Sequence, residues 1–418
     1  LLGLYYNSLD QDGKNSFDQE ISERSIEYYE EVQKEQQKTV IHKISVNGGN
    51  VNYEGFGEVP GYLHNQFSLD EKDGYLRVAT TLEPSFGWGG PILYGRGDGM
   101  VAFDDGAGSG GSSSSDAGGP VGRVSDSEEL PDGESFSFPA PDFESETSNN
   151  VYVLNEDLEV IGQLEDLANG ERIYSARFIG DRLYLVTFKQ VDPLFVIDLS
   201  DVSNPRVLGE LKIPGYSTYL HPYDEDHIIG IGQDSSGEIA EGDKMAAIPA
   251  GLRIALFDVS DVENPIEVDH VTIGDRGTYS DSLYDHKAFT FDKKTNTLVI
   301  PVSVQEKTSA PTQGEDSFWY PTKTVFEGAY VYTINDEGFE LRGTITHLDA
   351  SEQAKMMSED NYYPPYDVHV MRSLYINEVL YTLSQKMLQA NNLNSLDIIN
   401  RVNLPFEQPI YYAQDRAI

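Results

Sequence analysis

The chain runs to 418 residues with 70 Asp and Glu against 29 Lys and Arg, a formal net charge of −41 that disfavours nucleic acid and anionic membrane surfaces as partners. It contains no cysteine, which excludes disulfides and thiolate metal sites, and no run of about 18 apolar residues that would cross a membrane as a helix. An aromatic content of 11 %, with 26 Tyr, supplies large side chains for an extended core.

The first β-rich run, LLGLYYN (1–7), is predicted as a strand with nothing before it to pair with. In SLDQDGKNSFDQE (8–20), Asp10, Asp12 and Gly13 fall at the third, fifth and sixth positions of an EF-hand calcium loop. Ser8 stands where the first ligand belongs and Glu20 comes one residue late, so a solvated acidic turn is the simpler reading and calcium at Asp10 and Asp12 the alternative. The segment 16–37 opens with Ser16 and Gln19 in capping-box spacing and places Phe17, Ile21, Tyr28 and Val32 near one face, predicting a helix lying on one face of the molecule.

A hairpin pattern follows over 40–59, then a shorter pair of strands after His64. GRGDG (95–99) contains Arg96-Gly97-Asp98, an adhesion tripeptide that three residues match by chance too often to carry a function. Residues 104–150 combine Gly, Ser, Pro and acidic residues with few apolar ones, predicting a flexible insert between the second and third strands of one unit. Further hairpins read over 151–164 and 194–211. The latter, LFVIDLSDVSNPRVLGEL, is nearly restated sixty residues on, where Asp258, Ser260, Asp261, Asn264 and Pro265 repeat Asp198, Ser200, Asp201, Asn204 and Pro205.

That repetition is the signature of repeat architecture. Each copy is two apolar runs around a polar loop in which Asp and Ser side chains accept backbone N–H groups and proline fixes a turn. Degenerate copies at 329–347 and 387–402 bring the hairpins to six, and five of them are preceded by a second strand pair such as 172–188 or 368–384. A helix is predicted after Asp349, with Glu352 at the capping-box position, ending before Pro364 and Pro365. Units of four antiparallel strands repeated along a chain predict an all-β fold: a β-propeller of about six blades with short helical inserts, spanning 1–418 as one domain. The first blade lacks strands, so either further residues precede Leu1 or the tail QPIYYAQ (408–414) supplies the innermost one.

With the repeats in place, residues 170–232 resemble the secreted or cell-surface C-terminal β-propeller family of archaea and bacteria, distantly related to WD-repeat propellers. The resemblance continues through SLYDHKAFTFD (282–292), FEGAYVY (326–332) and RSLYINEVLYTLS (372–384) and covers about residues 39–404. It implies the propeller fold and a secreted or surface location, and transfers no catalytic motif.

Phosphate-binding glycine loops, nucleophile elbows and zinc helices are missing from the sequence. Four of the eight histidines, His64, His221, His286 and His369, are read at the start of inferred innermost strands, where Ser175 takes the fifth such place. Such strands line the propeller axis, so the four are expected around one mouth of the central channel, as ligands of a transition metal. Asp224, Asp285 and Asp367 would be their hydrogen-bonding partners. The competing reading is structural, with each imidazole bonded between blades. Phe67, Phe178 and Phe289, three residues after His64, Ser175 and His286, are expected as fillers of the wedges between blades.

Two functions follow. The first is a non-catalytic extracellular scaffold that binds a surface protein, a glycan or a copy of itself. The second is a metal-dependent enzyme built on the histidine set.

Overall fold

The computed structural model describes residues 5, 6, 8–83, 147–188, 192–239, 247–308, 321–359 and 362–405. It divides into two units, one comprising residues 1–36 and 84–146 and the other 37–83 and 147–418. The tail 408–414, the Arg96-Gly97-Asp98 tripeptide and the greater part of the Gly/Ser insert lie outside the described residues.

In the first unit the described element is one helix, α1 (Gln11–Gln36). It starts five residues before the predicted Ser16, because Asp10 serves as its cap: the Asp10 carboxylate accepts the Gly13 N–H at 2.8 Å. Asp12 sits in the first turn, where a negative charge meets the positive end of the helix dipole. Both carboxylates proposed for calcium thus stand at a helix start. Tyr5 and Tyr6 are helical rather than extended, which corrects the strand predicted over 1–7. Both rings pack edge-on against Phe17, and the Tyr6 hydroxyl donates to Asp18 at 2.8 Å.

The second unit is a series of antiparallel sheets in chain order. Sheet I is the hairpin β1 (Lys38–Asn47) and β2 (Asn50–Pro60). Sheet II joins β3 (Leu69–Lys72), β4 (Tyr75–Leu82), β5 (Ser148–Leu154) and β6 (Val160–Leu167). Sheet III joins β7 (Arg172–Ile179), β8 (Arg182–Phe188), β9 (Asp192–Asp198) and β10 (Arg206–Ile213). Sheet IV joins β11 (Tyr216–Pro222), β12 (His227–Ile239), β13 (Ala247–Asp258) and β14 (Ile266–Ile273). Sheet V joins β15 (Thr290–Asp292), β16 (Thr297–Lys307), β17 (Thr322–Asn335) and β18 (Gly338–Ile345). Sheet VI joins β19 (Arg372–Ile376), β20 (Val379–Leu383), β21 (Met387–Asn392) and β22 (Ile398–Asn403). Five sheets are four-stranded and the first is two-stranded among the described residues, matching the incomplete first blade. Residues 83–147 connect β4 to β5, the second and third strands of sheet II. The helix α2 (Ala350–Ser358) forms as predicted, with Asp349 and Glu352 completing a capping box.

In sheets II to V the middle strands are largely covered on both faces, which is why their sequences read as apolar runs; Leu183, Tyr184, Leu185 and Val186 of β8 are all buried. Leu183 and Leu185 face sheet II, sharing a core with Val151 and Val153. Tyr184 and Val186 face sheet IV, sharing one with Ile228 and Phe257. Outermost strands such as β10 are largely exposed.

The repeated Asp-x-Ser-Asp loop has a specific task. Asp198 and Asp258 accept the Ser200 and Ser260 N–H groups at 2.9 and 2.8 Å, and Asp201 and Asp261 close the next turn. The folded loop then lies against the outermost strand of the preceding sheet. Val202 of the sheet III loop meets Gly162 of β6, and Val262 and Glu263 of the sheet IV loop meet Gly209 of β10. A Cβ on Gly209 would come 2.8 Å from the Glu263 carbonyl oxygen and closer still to that of Val262. The motif is written twice because two successive sheets are locked to their predecessors in the same way.

Candidate functional site

Innermost strands from separate sheets deliver side chains to one place. Phe67, in the short 3-10 turn before β3, lies 5.4 Å from the Tyr219 ring of β11 and 4.9 Å from the His286 ring, centroid to centroid. The Arg177 guanidinium of β7 lies over the same Phe67 ring at 4.8 Å. Sheets II, III, IV and V therefore meet here. Contact among sheets that are not neighbours in the series marks the propeller axis. Phe67 is thus an axial residue, whereas Phe178 and Phe289 fill wedges as expected, packed in the II–III and IV–V cores.

The four predicted histidines take three different environments. His286, in a 3-10 turn before β15, is half-buried, and its Nε2 lies 3.3 Å from the exposed Gln66 amide nitrogen. His221 is the next-to-last residue of β11 rather than the first; the first residue past the bulge, Ser175 in β7, corresponds to Tyr219 in β11. Its Nδ1 is hydrogen-bonded to the Tyr219 hydroxyl at 3.0 Å, and its ring lies 4.9 Å from Phe289. Burial and the nearby Arg177 push its pKa down to about 4, so it is neutral at physiological pH. His221 and His286 thus flank one tyrosine, with ring centroids 5.9 and 6.1 Å from that of Tyr219. His64 stands exposed on the segment before β3.

His369 is set apart by its own carboxylates. It precedes β19, is 6 % exposed, and hydrogen-bonds through Nδ1 to Glu327 at 2.7 Å and through Nε2 to Asp281 at 3.1 Å. Burial alone would lower its pKa, but the two carboxylates raise it to about 9, so it is charged. Asp281 also accepts the Tyr279 hydroxyl at 2.9 Å, and these bonds hold its carboxyl below the usual range despite burial. Of the aspartates expected to support the histidines, Asp285 pairs with Arg372 and lies 4.0 Å from His286, while Asp224 pairs with His227 and Lys293. Among the described residues, no group of three or more His, Asp or Glu side chains is placed to hold a metal ion.

Around His369 lies an aromatic surface. Tyr366 stacks on the imidazole at 6.0 Å and 16°, Tyr279 lies 6.0 Å from it, and Tyr284 stacks on Tyr279 at 6.1 Å and 22°. Tyr284 and Tyr366 are 75 % and 71 % exposed, so both rings present themselves to solvent while fixed charges stand behind them. The tyrosines were missed because tyrosine is abundant throughout the sequence; the motif YSDSLYDH (279–286), with aromatics and acids interleaved before a strand, was the available signal.

The β-propeller domain family model matches residues 4–396. An uncharacterized protein of Methanocaldococcus jannaschii is 30 % identical over 408 residues, which is 98 % of this chain and 47 % of that protein. Another, of Archaeoglobus fulgidus, is 32 % identical over 294 residues, 70 % of this chain and 34 % of that protein. The chain thus spans less than half the length of these curated relatives. Among solved structures, Citrobacter koseri AztD matches at 9 % identity and a TM-score of 0.36, covering 88 % of this chain and 80 % of that one. The WD40 domain of Neurospora crassa Pan2 matches at 10 % identity and a TM-score of 0.32, covering 64 % of each chain.

Proposed function

Since the chain belongs to the β-propeller domain family, we propose that it is a non-catalytic binding scaffold acting in a secreted or cell-surface setting, with a neutral glycan as ligand. The observation that carries the reading is the exposed tyrosine surface backed by ordered carboxylates. A pyranose ring offers an apolar C–H face and a rim of hydroxyls. Tyr284 and Tyr366 offer rigid ring faces that lose little conformational entropy on contact. Asp281 is already fixed by Tyr279 and His369, yet each carboxylate oxygen keeps lone-pair capacity for a sugar hydroxyl. A pre-ordered acceptor beside an aromatic face favours orientation over mere adhesion. The large negative charge argues for a neutral ligand at this surface, because an anionic one would meet Asp281 and Glu327.

The test is retention on an array of neutral glycans, comparing the wild-type chain with the Tyr284→Ala/Tyr366→Ala double variant. Both side chains are exposed, so the melting temperature should be unchanged. The reading expects wild-type retention on a subset of glycans and its loss in the double variant. Equal retention by both chains, or none by the wild type, counts against it.

A further inference from the structure

A second site is carried by Arg177. Among the described residues its guanidinium makes no hydrogen bond and no ion pair; its recorded contact is the face of Phe67 at 4.8 Å. In a chain with 70 acidic residues, an arginine at the axis of the fold without a carboxylate partner is unexpected. Other arginines are engaged: the buried Arg77 with Asp70 and Arg253 with Glu267, and Arg342 and Arg401 with the oxygens of Asn394 and Gln389. Five N–H donors in a rigid fork are therefore held in place with their acceptors unfilled.

The surroundings define what could fill them. Gln66 is exposed at the solvent side of the cluster, while Phe67 and Tyr219 line it with two rings packed on each other, tilted by 50° with centroids 5.4 Å apart. The Gln66 amide sits 3.3 Å from His286 Nε2, a long contact that an incoming acceptor could replace. His221, behind Tyr219, is neutral, so Arg177 is the one fixed positive charge among the residues of this cluster. We propose that Arg177, Gln66 and Tyr219 form an axial site for a monoanionic carboxylate, bound by the guanidinium fork. One fixed charge suits a monoanion better than a dianionic phosphate or sulfate. A planar carboxylate also matches the fork bidentately and fits beside flat aromatic walls. This site is independent of the tyrosine surface and does not rest on the glycan reading.

The probes are acetate and glucuronate, with sulfate and chloride as comparisons at constant ionic strength so that screening of the net charge is held fixed. Binding is read by calorimetric titration of the whole chain. The expected result is saturable carboxylate binding, reduced at least tenfold in Arg177→Gln and several-fold in Arg177→Lys, which keeps the charge but loses the fork. Gln66→Ala, exposed and outside the sheets, should weaken binding without changing the melt, and covers the case in which the Arg177 variants fail to fold. Tyr284→Ala should bind acetate as the wild type does, which separates this site from the glycan surface. No saturable carboxylate binding, binding unchanged in the folded Arg177→Gln and Gln66→Ala variants, or sulfate bound as tightly as acetate would each overturn the proposal.

Discussion

Replacing Gly209 by alanine sets two effects against each other. Gly209 lies in β10, and its backbone is not in the left-handed region, so an alanine there should recover about 0.5–1 kcal/mol of chain entropy by propensity alone. Packing argues the other way. The new Cβ would sit 2.8 Å from the Glu263 carbonyl oxygen, where ordinary contact begins near 3.4 Å, so at least 0.6 Å of displacement is required. The obstructing atoms are backbone, held in place by the Asp261 turn whose side chain accepts the Glu263 N–H at 3.2 Å. Forcing such a shift costs typically about 1–3 kcal/mol. At the middle of both ranges packing wins, leaving a net loss of roughly 1 kcal/mol, or about 2 °C of melting temperature for a domain of this size. Gly162→Ala acts at a different pair of sheets, so the two losses should add within about 0.5 kcal/mol. The assay is denaturant unfolding of both single variants and the double variant. A Gly209→Ala chain as stable as the wild type, or more so, would refute the locking role given to the repeated loop.

Stability should fall as pH rises from about 6.5 to about 9, because the folded chain holds the His369 proton over that window and the unfolded chain does not. This contribution is whole below about 6.5, and its slope of up to about 1.4 kcal/mol per pH unit should disappear in His369→Gln, as read by denaturant unfolding across pH. His369→Ala at pH 7 should cost about 3–5 kcal/mol, since it leaves the Glu327 and Asp281 carboxylates facing each other without a cation; a loss under 1 kcal/mol would contradict the charged assignment. Raising monovalent salt from low concentration to 1 M should raise the melting temperature, because a net charge of −41 is self-repelling; a flat response would remove repulsion as a leading effect. Elemental analysis of the purified chain addresses the metal alternative: the scaffold account expects no stoichiometric transition metal, and metal lost together with His221→Ala and His286→Ala would favour the enzyme.

What could be read from the sequence was what depends on near neighbours. The Asp198 and Asp258 loops, the Asp349 capping box and the apolar runs of the middle strands are local chemistry, and each formed as the residues imply. The start of α1 was misplaced because Gly13 in its first turn reads as loop, although Asp10 accepts its N–H. The strand predicted over 1–7 gave way to packing of Tyr5 and Tyr6 on Phe17, a contact that alternation does not report. His221 is misplaced at the strand start because it was matched to Ser175, whereas the bulges after Ile173 and Ser217 stand at the same place in β7 and β11 and make Tyr219 the equivalent of Ser175. The axial cluster joins residues as far apart as Gln66 and His286, and the carboxylates of His369 come from Asp281 and Glu327. Neither set shares a pattern in the chain. The axial cluster arises from ring geometry, which brings the innermost strands of non-neighbouring sheets together, and the His369 set from the packing of sheet VI against sheet V.

The central claim is that this propeller binds its ligand on the tyrosine surface of sheets V and VI. The most direct measurement is a crystal structure of the chain with an oligosaccharide selected on the glycan array. The account predicts a sugar ring lying on Tyr284 or Tyr366 with a hydroxyl donating to Asp281. An oligosaccharide seated elsewhere on the chain, with these tyrosines untouched, would contradict it.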